Sequence, residues 1–214
     1  MAEANGTPGR LDADRMWVMP AGPARYDCRP EDSLAAHAAR AGVTPVEAFI
    51  DLCLETEGRC NLNLPFLNQR LDAVEEMLDD PVVTLGLGDA GAHVGTVCDA
   101  SFSTFMLTHW VRDRAEGRLP LERTVEMLTR RNARYLGLTD RGTIGVGQRA
   151  DLNVIDPQRL AVGEPLLVRD LPAGGKRFLQ KGVGYVGTWV AGQPVQSDGV
   201  ITAARPGRLV RAGR

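Results

Sequence analysis

The sequence predicts an α/β fold that begins as parallel β-α-β structure and ends in a β-rich tail. Two observations carry this prediction. Residues 62–87 contain two strand patterns separated by a helical pattern, with short connections, which is the order of a β-α-β unit. From about residue 140 onward, strand patterns and glycine-containing bends replace helical periodicity. We therefore predict a poorly ordered lead-in over 1–30, an α/β region over 31–140 and a β-rich tail over 141–214.

The composition is that of an ordinary globular protein. The chain has 214 residues, of which 43% are hydrophobic, and a net charge of -2. Lys and Arg number 25 against 27 Asp and Glu, so we expect no nucleic acid and no membrane as partner. No stretch approaches the ~20 apolar residues that span a bilayer, and the polar start is not a secretory signal. The 4 cysteines form no CxxC pair, which favours reduced thiols and a cytoplasmic location.

Capping signals define the predicted helices. Asp32 or Ser33 can cap a helix that Gly42 ends, because serine and aspartate accept from free amide groups and glycine adopts the left-handed conformation. Thr44 and Glu47 form a capping box that opens the next helix, which runs to about residue 57. Further helices are predicted over 72–78, from about 99 to 116 and from 120 to about 137.

Helical spacing also predicts which side of each helix faces the core. The second helix presents apolar residues on one face: Val46, Phe49, Ile50, Cys53 and Leu54. The helix from about 99 carries an aromatic stripe that we interpret as core: Phe102, Phe105, Met106, His109 and Trp110. The last helix presents Leu121, Val125, Leu128 and Leu136.

Strand patterns occur on both sides of residue 140. Leu62, Leu64 and Phe66 alternate with polar residues, although Pro65 favours an edge or a strand end. The aliphatic run 82–87 predicts a strand buried on both faces. In the tail, 151–156 alternates, and 183–196 predicts a hairpin that turns near Ala191-Gly192.

The strand predicted over 82–87 leads into a glycine-rich turn that holds one carboxylate, Asp89, and one imidazole, His93. Glycines let the backbone approach a ligand closely, and the carboxyl ends of parallel strands are where catalytic residues collect. Both residues are therefore candidates for a functional site. The alternative is an ordinary loop in which Asp89 caps a turn and His93 is satisfied locally.

Four motifs in this order resemble the amidohydrolase superfamily. The segment Gly142 to Asp156 resembles its G-T-I-x-x-G-x-x-A-D-L-x-V-I-D bend and strand, and the hairpin 185–195 resembles its V-x-G-x-x-V strand pair. Residues 203–208 resemble the terminal G-A-R-P-G-R of the N-acyl-D-amino-acid deacylase (D-aminoacylase) branch. Residues 86–91 are similar to the G-x-S-D-G of that branch at the eighth barrel strand, with Gly88 in place of serine. The resemblance covers the chain from about residue 30 to its end.

The resemblance implies a fold and a chemistry. It implies that 31–140 is part of a metal-dependent (β/α)₈ TIM barrel and that 141–214 belongs to a small β-sandwich, the composite tail domain. Members use zinc or another divalent metal to activate water against an amide carbonyl. By this resemblance Asp89 is the catalytic base and a possible metal ligand. The resemblance assigns no role to His93, which is a candidate substrate-binding residue because its position could let it reach a substrate carboxylate; the alternative is a local hydrogen bond within the turn. The substrate class implied is a small acylated amino acid, such as an N-acyl-D-amino acid.

Much of the metal site expected from the resemblance has no match in this sequence. The H-x-H pair, the metal-bridging residue and two later histidines of the family are missing, and only about 140 residues are available for a barrel that takes roughly 250. We therefore predict that this chain alone does not bind zinc tightly. It is either part of a hydrolase, or a catalytically inactive fragment or binding module that needs a partner chain or associates with itself. An unrelated α/β protein with a chance Gly-Asp turn is a third alternative.

Overall fold

The computed structural model describes residues 12–65, 67–86 and 88–211. The chain divides into two compact units, one formed by 1–21 with 25–74 and the other by 22–24 with 75–214. The change of character predicted near residue 140 therefore lies inside the second unit. Of the predicted lead-in, 1–11 lies outside the described residues.

The first unit combines two helices with a short strand pair. Helix α1 spans Leu34–Ala41 and α2 spans Pro45–Glu55, while strands β1 (Trp17–Val18) and β2 (Leu62–Asn63) pair in antiparallel fashion. Two 3-10 turns precede α1, at Ala13–Arg15 and Pro30–Asp32. A buried cluster joins the unit: Ala13, Leu34, Ala38, Ala48 and Leu52. Residues of the predicted lead-in thus contribute both a strand and a core residue.

Both predicted caps of this unit are confirmed. The Ser33 hydroxyl accepts a hydrogen bond from the Ala36 amide at 3.1 Å, and Gly42 ends α1 with φ of 70°. Thr44 and Glu47 form the reciprocal capping box: the Glu47 amide donates to the Thr44 hydroxyl at 3.3 Å. These hydrogen bonds join residues three apart, so the local sequence is enough to predict them.

Replacing Ser33 with alanine should lower the free energy of unfolding by about 1 kcal/mol, within the 0.5–2 kcal/mol range of lost helix caps. Ser33 is buried, and alanine has no hydroxyl group, so the Ala36 amide would lose its hydrogen-bond acceptor. Urea denaturation of the variant measures the change. Ser101→Ala is the control, since Ser101 also precedes a helix but makes no side-chain capping hydrogen bond in the described structure. Equal losses in both variants would contradict the capping role.

The predicted inner face of α2 is confirmed at Phe49, which is partly buried against the core cluster, and is wrong at three other positions. Ala48 and Leu52 are buried, whereas Val46, Ile50 and Leu54 are exposed, Leu54 by 71%. Periodicity identified the apolar residues, but the packing partner decides which of them are covered. Here the small side chains of Ala38 on α1 and Ala48 on α2 belong to one cluster with Leu52, and Val46, Ile50 and Leu54 lie outside it.

The helices of the second unit lie between residues 75 and 135. Helix α3 spans Leu71–Asp79, and its last five residues belong to this unit. A 3-10 turn at Asp99–Ser101 leads into α4, Phe102–Phe105, which continues as a π-helix over Met106–Asp113. Helices α5 (Leu121–Leu128) and α6 (Arg130–Tyr135) follow. The predicted helices at 72–78 and from about 99 are therefore confirmed, the second of them with a wider π turn.

The prediction of one continuous helix from 120 to about 137 needs correction. The backbone of Thr129, with φ of -127° and ψ of -86°, separates α5 from α6. The predicted inner face is also wrong at three positions, because Leu121, Val125 and Leu136 are exposed. The residues buried instead are Thr124, Met127 and Ala133.

The tail is built from antiparallel strands. The largest sheet has four strands in the order β10-β9-β8-β3, which span Val200–Ile201, Gln193–Ser197, Tyr185–Val190 and Leu152–Ile155. Two further pairs join β4 (Ala161–Val162) to β7 (Gly182–Val183) and β5 (Leu166–Val168) to β6 (Arg177–Leu179). A 3-10 turn occupies Pro172–Gly174. The fold is thus mixed α/β, with helices and antiparallel sheets.

The predicted hairpin is confirmed, including its turn. Strands β8 and β9 pair on either side of Ala191 and Gly192, whose φ values are 51° and 75°. Positive φ at both central residues is the conformation that matches the twist of a two-residue hairpin. Asp151 supports this turn, because its carboxylate accepts from the Ala191 amide at 2.8 Å and pairs with Arg141 at 3.1 Å. Asp151 in the A-D-L motif is therefore a structural residue.

The predicted parallel β-α-β unit is not found among the described residues. Strand β2 ends at Asn63, before Pro65, and its partner β1 is antiparallel. Residues 82–86 contain no strand, and Val82 is 83% exposed; Leu87 and Phe66, which complete the two predicted strands, lie outside the description. A parallel strand requires neighbours on the same sheet, and 82–86 has none here. No helix of the described residues is long and apolar enough to cross a membrane. The cytoplasmic location stays a prediction.

Candidate active site

The segment that leads to the candidate site is held by backbone and side-chain hydrogen bonds in place of a sheet. The Asp80 carboxylate accepts from the Val82 amide at 2.9 Å, and the Asp80 carbonyl accepts from the Val83 amide at 3.2 Å. Arg131 of α6 donates to the Val83 carbonyl at 3.2 Å. The segment before Asp89 is therefore held in part by the guanidinium group of Arg131 on α6. This contact joins residues 48 positions apart, so no local sequence pattern predicts it.

Asp89 and His93 lie in consecutive turns. The backbone carbonyl of Asp89 accepts from the Ala92 amide at 3.0 Å, so the turn is closed without the side chain. His93 has φ of 45°, and its carbonyl accepts from the Thr96 amide at 2.7 Å. Both residues are exposed, and among the described residues neither side chain makes a hydrogen bond or an ion pair. The carboxylate and the imidazole are thus available to a ligand.

The glycine-rich turn is anchored at its far end by the tail. The Phe178 amide on β6 donates to the Val94 carbonyl at 2.7 Å. The Cys98 thiol lies 3.9 Å from the Gln180 side-chain oxygen. Burial, followed by the negative charge of Asp99, raises the pKa of the Cys98 thiol. These contacts hold residues 94–98 against β6 and against Gln180, which directly follows it.

Gly88 is required by a close backbone approach. A Cβ atom at this position would lie 2.8 Å from the Asp99 carbonyl oxygen and 3.0 Å from the Asp99 Cβ. Such contacts are closer than van der Waals packing allows, so the serine that the related motif often carries would force Asp99 to move. Glycine at this position therefore agrees with the local packing of this chain.

Two open cavities lie beside the helices of this unit, and neither is lined by Asp89 or His93. One, of about 480 Å³, is lined by 81–84 together with residues of α5 and α6, among them Arg131 and Tyr135. The other, of about 370 Å³, lies at the end of α6 and is lined by residues such as Arg130, Arg134 and Arg141. Asp89 and His93 are exposed groups of a turn and lie outside the lining of both of these cavities.

The described residues do not assemble a metal site. No group of three or more His, Cys, Asp or Glu side chains comes together among them. A catalytic zinc takes three protein ligands and a water molecule, and Asp89 would supply one. The donor set of this part of the chain therefore does not fit a bound zinc by itself.

Comparison with known proteins identifies the family. The sequence model of the amidohydrolase family matches residues 4–196. The chain is 32% identical over 133 residues to an uncharacterized protein of Mycobacterium bovis and, to the same extent, to an uncharacterized protein of Mycobacterium tuberculosis. These alignments cover 60% of this chain and 21% of each relative, so the chain spans about a fifth of the length of the curated relatives it matches. No solved structure matches significantly. Because the family match extends over most of the chain and includes the turn with Asp89, the chain belongs to the amidohydrolase family.

Proposed function

We propose that this chain is part of a hydrolase that cleaves C–N amide bonds, with N-acyl-D-amino acids as the substrate class. The observation that supports this proposal most directly is the family match over residues 4–196. The geometry of the turn agrees with it, because the turn is closed by the backbone oxygen of Asp89 and its carboxylate stays exposed. A carboxylate that is not used for capping can take part in proton transfer.

In the proposed reaction Asp89 moves one proton. A water oxygen attacks the amide carbonyl carbon while the Asp89 carboxylate accepts a proton from that water. The protonated Asp89 then donates this proton to the leaving nitrogen as the C–N bond breaks, which yields a carboxylic acid and an amine. His93, exposed four residues further along the turn, would contact the substrate carboxylate.

Zinc or another divalent metal remains the cofactor that family membership favours for the whole enzyme. Since Asp89 would supply a single donor, the other ligands would come from a further polypeptide segment. In the same proposal, 31–140 forms part of a (β/α)₈ barrel and 141–214 part of a small β-sandwich. Both would be completed when the neighbouring strands are present.

The alternative is a catalytically inactive fragment or binding module that needs a partner chain. Exposed apolar residues on two helices favour a partner chain, both for part of a hydrolase and for an inactive binding module. On α2 the side chains of Val46, Ile50 and Leu54 follow one another at helical spacing, and on α5 Leu121 and Val125 do the same. Contiguous exposed apolar surface of this kind is typical of interaction sites.

An activity assay with and without a complementing segment tests the proposal. The purified chain is offered N-acyl-D- and N-acyl-L-amino acids with added Zn²⁺, alone and with a polypeptide that carries the H-x-H part of the barrel. We expect turnover only in the mixture, together with self-association of the isolated chain in light scattering. Turnover and stoichiometric zinc in the isolated monomer would contradict the need for a partner. Absence of turnover in a stable complex would favour the binding module.

A further inference from the structure

The end of helix α2 brings two cysteines together. The Sγ atoms of Cys53, in the last turn of the helix, and of Cys60, just before β2, lie 3.6 Å apart. Both residues are half-buried, and both are free thiols. The spacing C-x₆-C is not the CxxC spacing of a redox or zinc motif, so the short distance between the two sulfur atoms results from how the chain turns between the cysteines.

The backbone between the two cysteines forms a hydrogen-bonded helix end. The Gly58 amide donates to the Cys53 carbonyl at 2.7 Å, and the Glu57 amide donates to the Leu54 carbonyl at 3.2 Å. Glu57 has φ of 51°, so this pair of bonds is the Schellman arrangement with glutamate at the left-handed position. The chain therefore reverses direction directly after the helix and runs back beside its last turn.

One side chain holds Cys60 in this position. The Thr56 hydroxyl donates to the Leu52 carbonyl at 2.6 Å and accepts from the Cys60 amide at 2.9 Å. It thus connects the backbone of the helix to the backbone of Cys60. Because the two cysteines are held at each end of the same hydrogen-bonded turn, the thiols meet without the loss of much chain entropy.

We propose that Cys53 and Cys60 form a reversible intramolecular disulfide, and that Thr56 is the residue that positions Cys60 for it. A disulfide has an S–S distance of about 2.05 Å, so the sulfur atoms have to approach by roughly 1.5 Å. The oxidant we assign is a small-molecule disulfide such as glutathione disulfide. The thiolate of one cysteine attacks it and releases one glutathione. The second thiolate then attacks the mixed disulfide and releases the other, so two protein thiols are oxidised and one disulfide is reduced.

Three of the four thiols have pKa values above the ordinary value of a cysteine. The hydrogen bond to Cys60 is the main cause that raises the pKa of Cys53. The other two cysteines are poorer nucleophiles. Burial, followed by the charge of Asp27, raises the pKa of Cys28 to about 11, and burial raises that of Cys98.

Equilibration in glutathione redox buffer followed by peptide mass spectrometry tests this assignment. At a given ratio of oxidised to reduced glutathione, we expect the Cys53–Cys60 cross-link to exceed the mixed disulfides on Cys28 and Cys98 by at least about tenfold. In guanidinium chloride this preference should fall, since the turn that holds the thiols is lost. Cys53→Ser and Cys60→Ser should each abolish the cross-link and leave a glutathione adduct on the remaining thiol.

Two matched variants test the role of Thr56. Thr56→Val removes the hydroxyl and should lower the cross-linked to reduced ratio about fivefold, the factor that corresponds to one ordinary hydrogen bond. Thr56→Ser keeps the hydroxyl and should restore the ratio. Equal ratios in the two variants would overturn the positioning role. Two results would overturn the proposed disulfide. One is a cross-link that forms no more often in the folded than in the denatured chain. The other is an even distribution of glutathione adducts over the four cysteines.

Discussion

Replacing Asp89 with asparagine is expected to lower kcat of the complemented enzyme by about 10² to 10⁴, the usual contribution of a general base. Asparagine has nearly the same shape as aspartate, but its amide group cannot accept the proton of the attacking water. The rate of amide hydrolysis in the complex of this chain with its complementing segment measures the effect. Because the Asp89 side chain is exposed, the free energy of unfolding should change little.

The control for this variant is Asp51→Asn, which makes the same change of charge at an exposed position of α2. Asp51 lies far from the glycine-rich turn in the sequence, and we expect its substitution to leave kcat unchanged. A variant at Asp89 that retains the full rate while the complex stays intact would contradict the assignment of Asp89 as the base. Loss of the complex itself would be visible in light scattering and would identify a structural effect.

Replacing Trp110 with alanine should lower the free energy of unfolding by about 3–5 kcal/mol, the range for large aromatic residues in a core. Trp110 is 1% exposed, its ring meets that of His109 edge-on at 5.2 Å, and the guanidinium carbon of Arg114 lies 4.4 Å from its centroid. Alanine would leave a cavity beside these groups and remove the cation–π contact. Guanidinium denaturation followed by circular dichroism measures the loss.

Tyr135→Ala is the matched control for Trp110, since Tyr135 is an aromatic residue that is 77% exposed. A substitution at such a surface position usually changes stability by less than about 0.5 kcal/mol. Trp110→Phe should fall between the two, because it keeps a ring in the core. Similar midpoints for Trp110→Ala and Tyr135→Ala would show that the predicted core stripe on the π-helix does not stabilise this unit.

Local hydrogen bonding explains which parts of the fold could be predicted. Ser33 and Thr44 act on amides three residues away, and the turn at Ala191-Gly192 depends on the backbone conformation of two adjacent residues. These features are present in any short segment that carries the right residues. Family membership was likewise predictable, because the motifs from Gly142 to Asp156 and around Asp89 lie within the stretch that matches the family.

The covered faces of the helices could not be predicted in the same way. Val46, Ile50 and Leu54 satisfy the helical period of an inner face, yet Ala48 and Leu52 are buried in their place. The period identifies an apolar face, whereas burial depends on which element packs against the helix. The strand pattern at 82–86 failed for the same reason, since a strand exists only where a neighbouring strand accepts its hydrogen bonds.

The sequence by itself determined the helix caps, the hairpin turn and the family, and the role of Asp89 as the base stays a prediction from the family resemblance. Only the tertiary structure decided that the Asp89 carboxylate is free of its own turn, that Asp151 supports the hairpin, and that Cys53 and Cys60 lie 3.6 Å apart. The physical reason is the range of the interactions. Caps and tight turns are closed within a few residues, whereas burial, strand pairing and the meeting of side chains depend on segments that the chain brings together only when it folds.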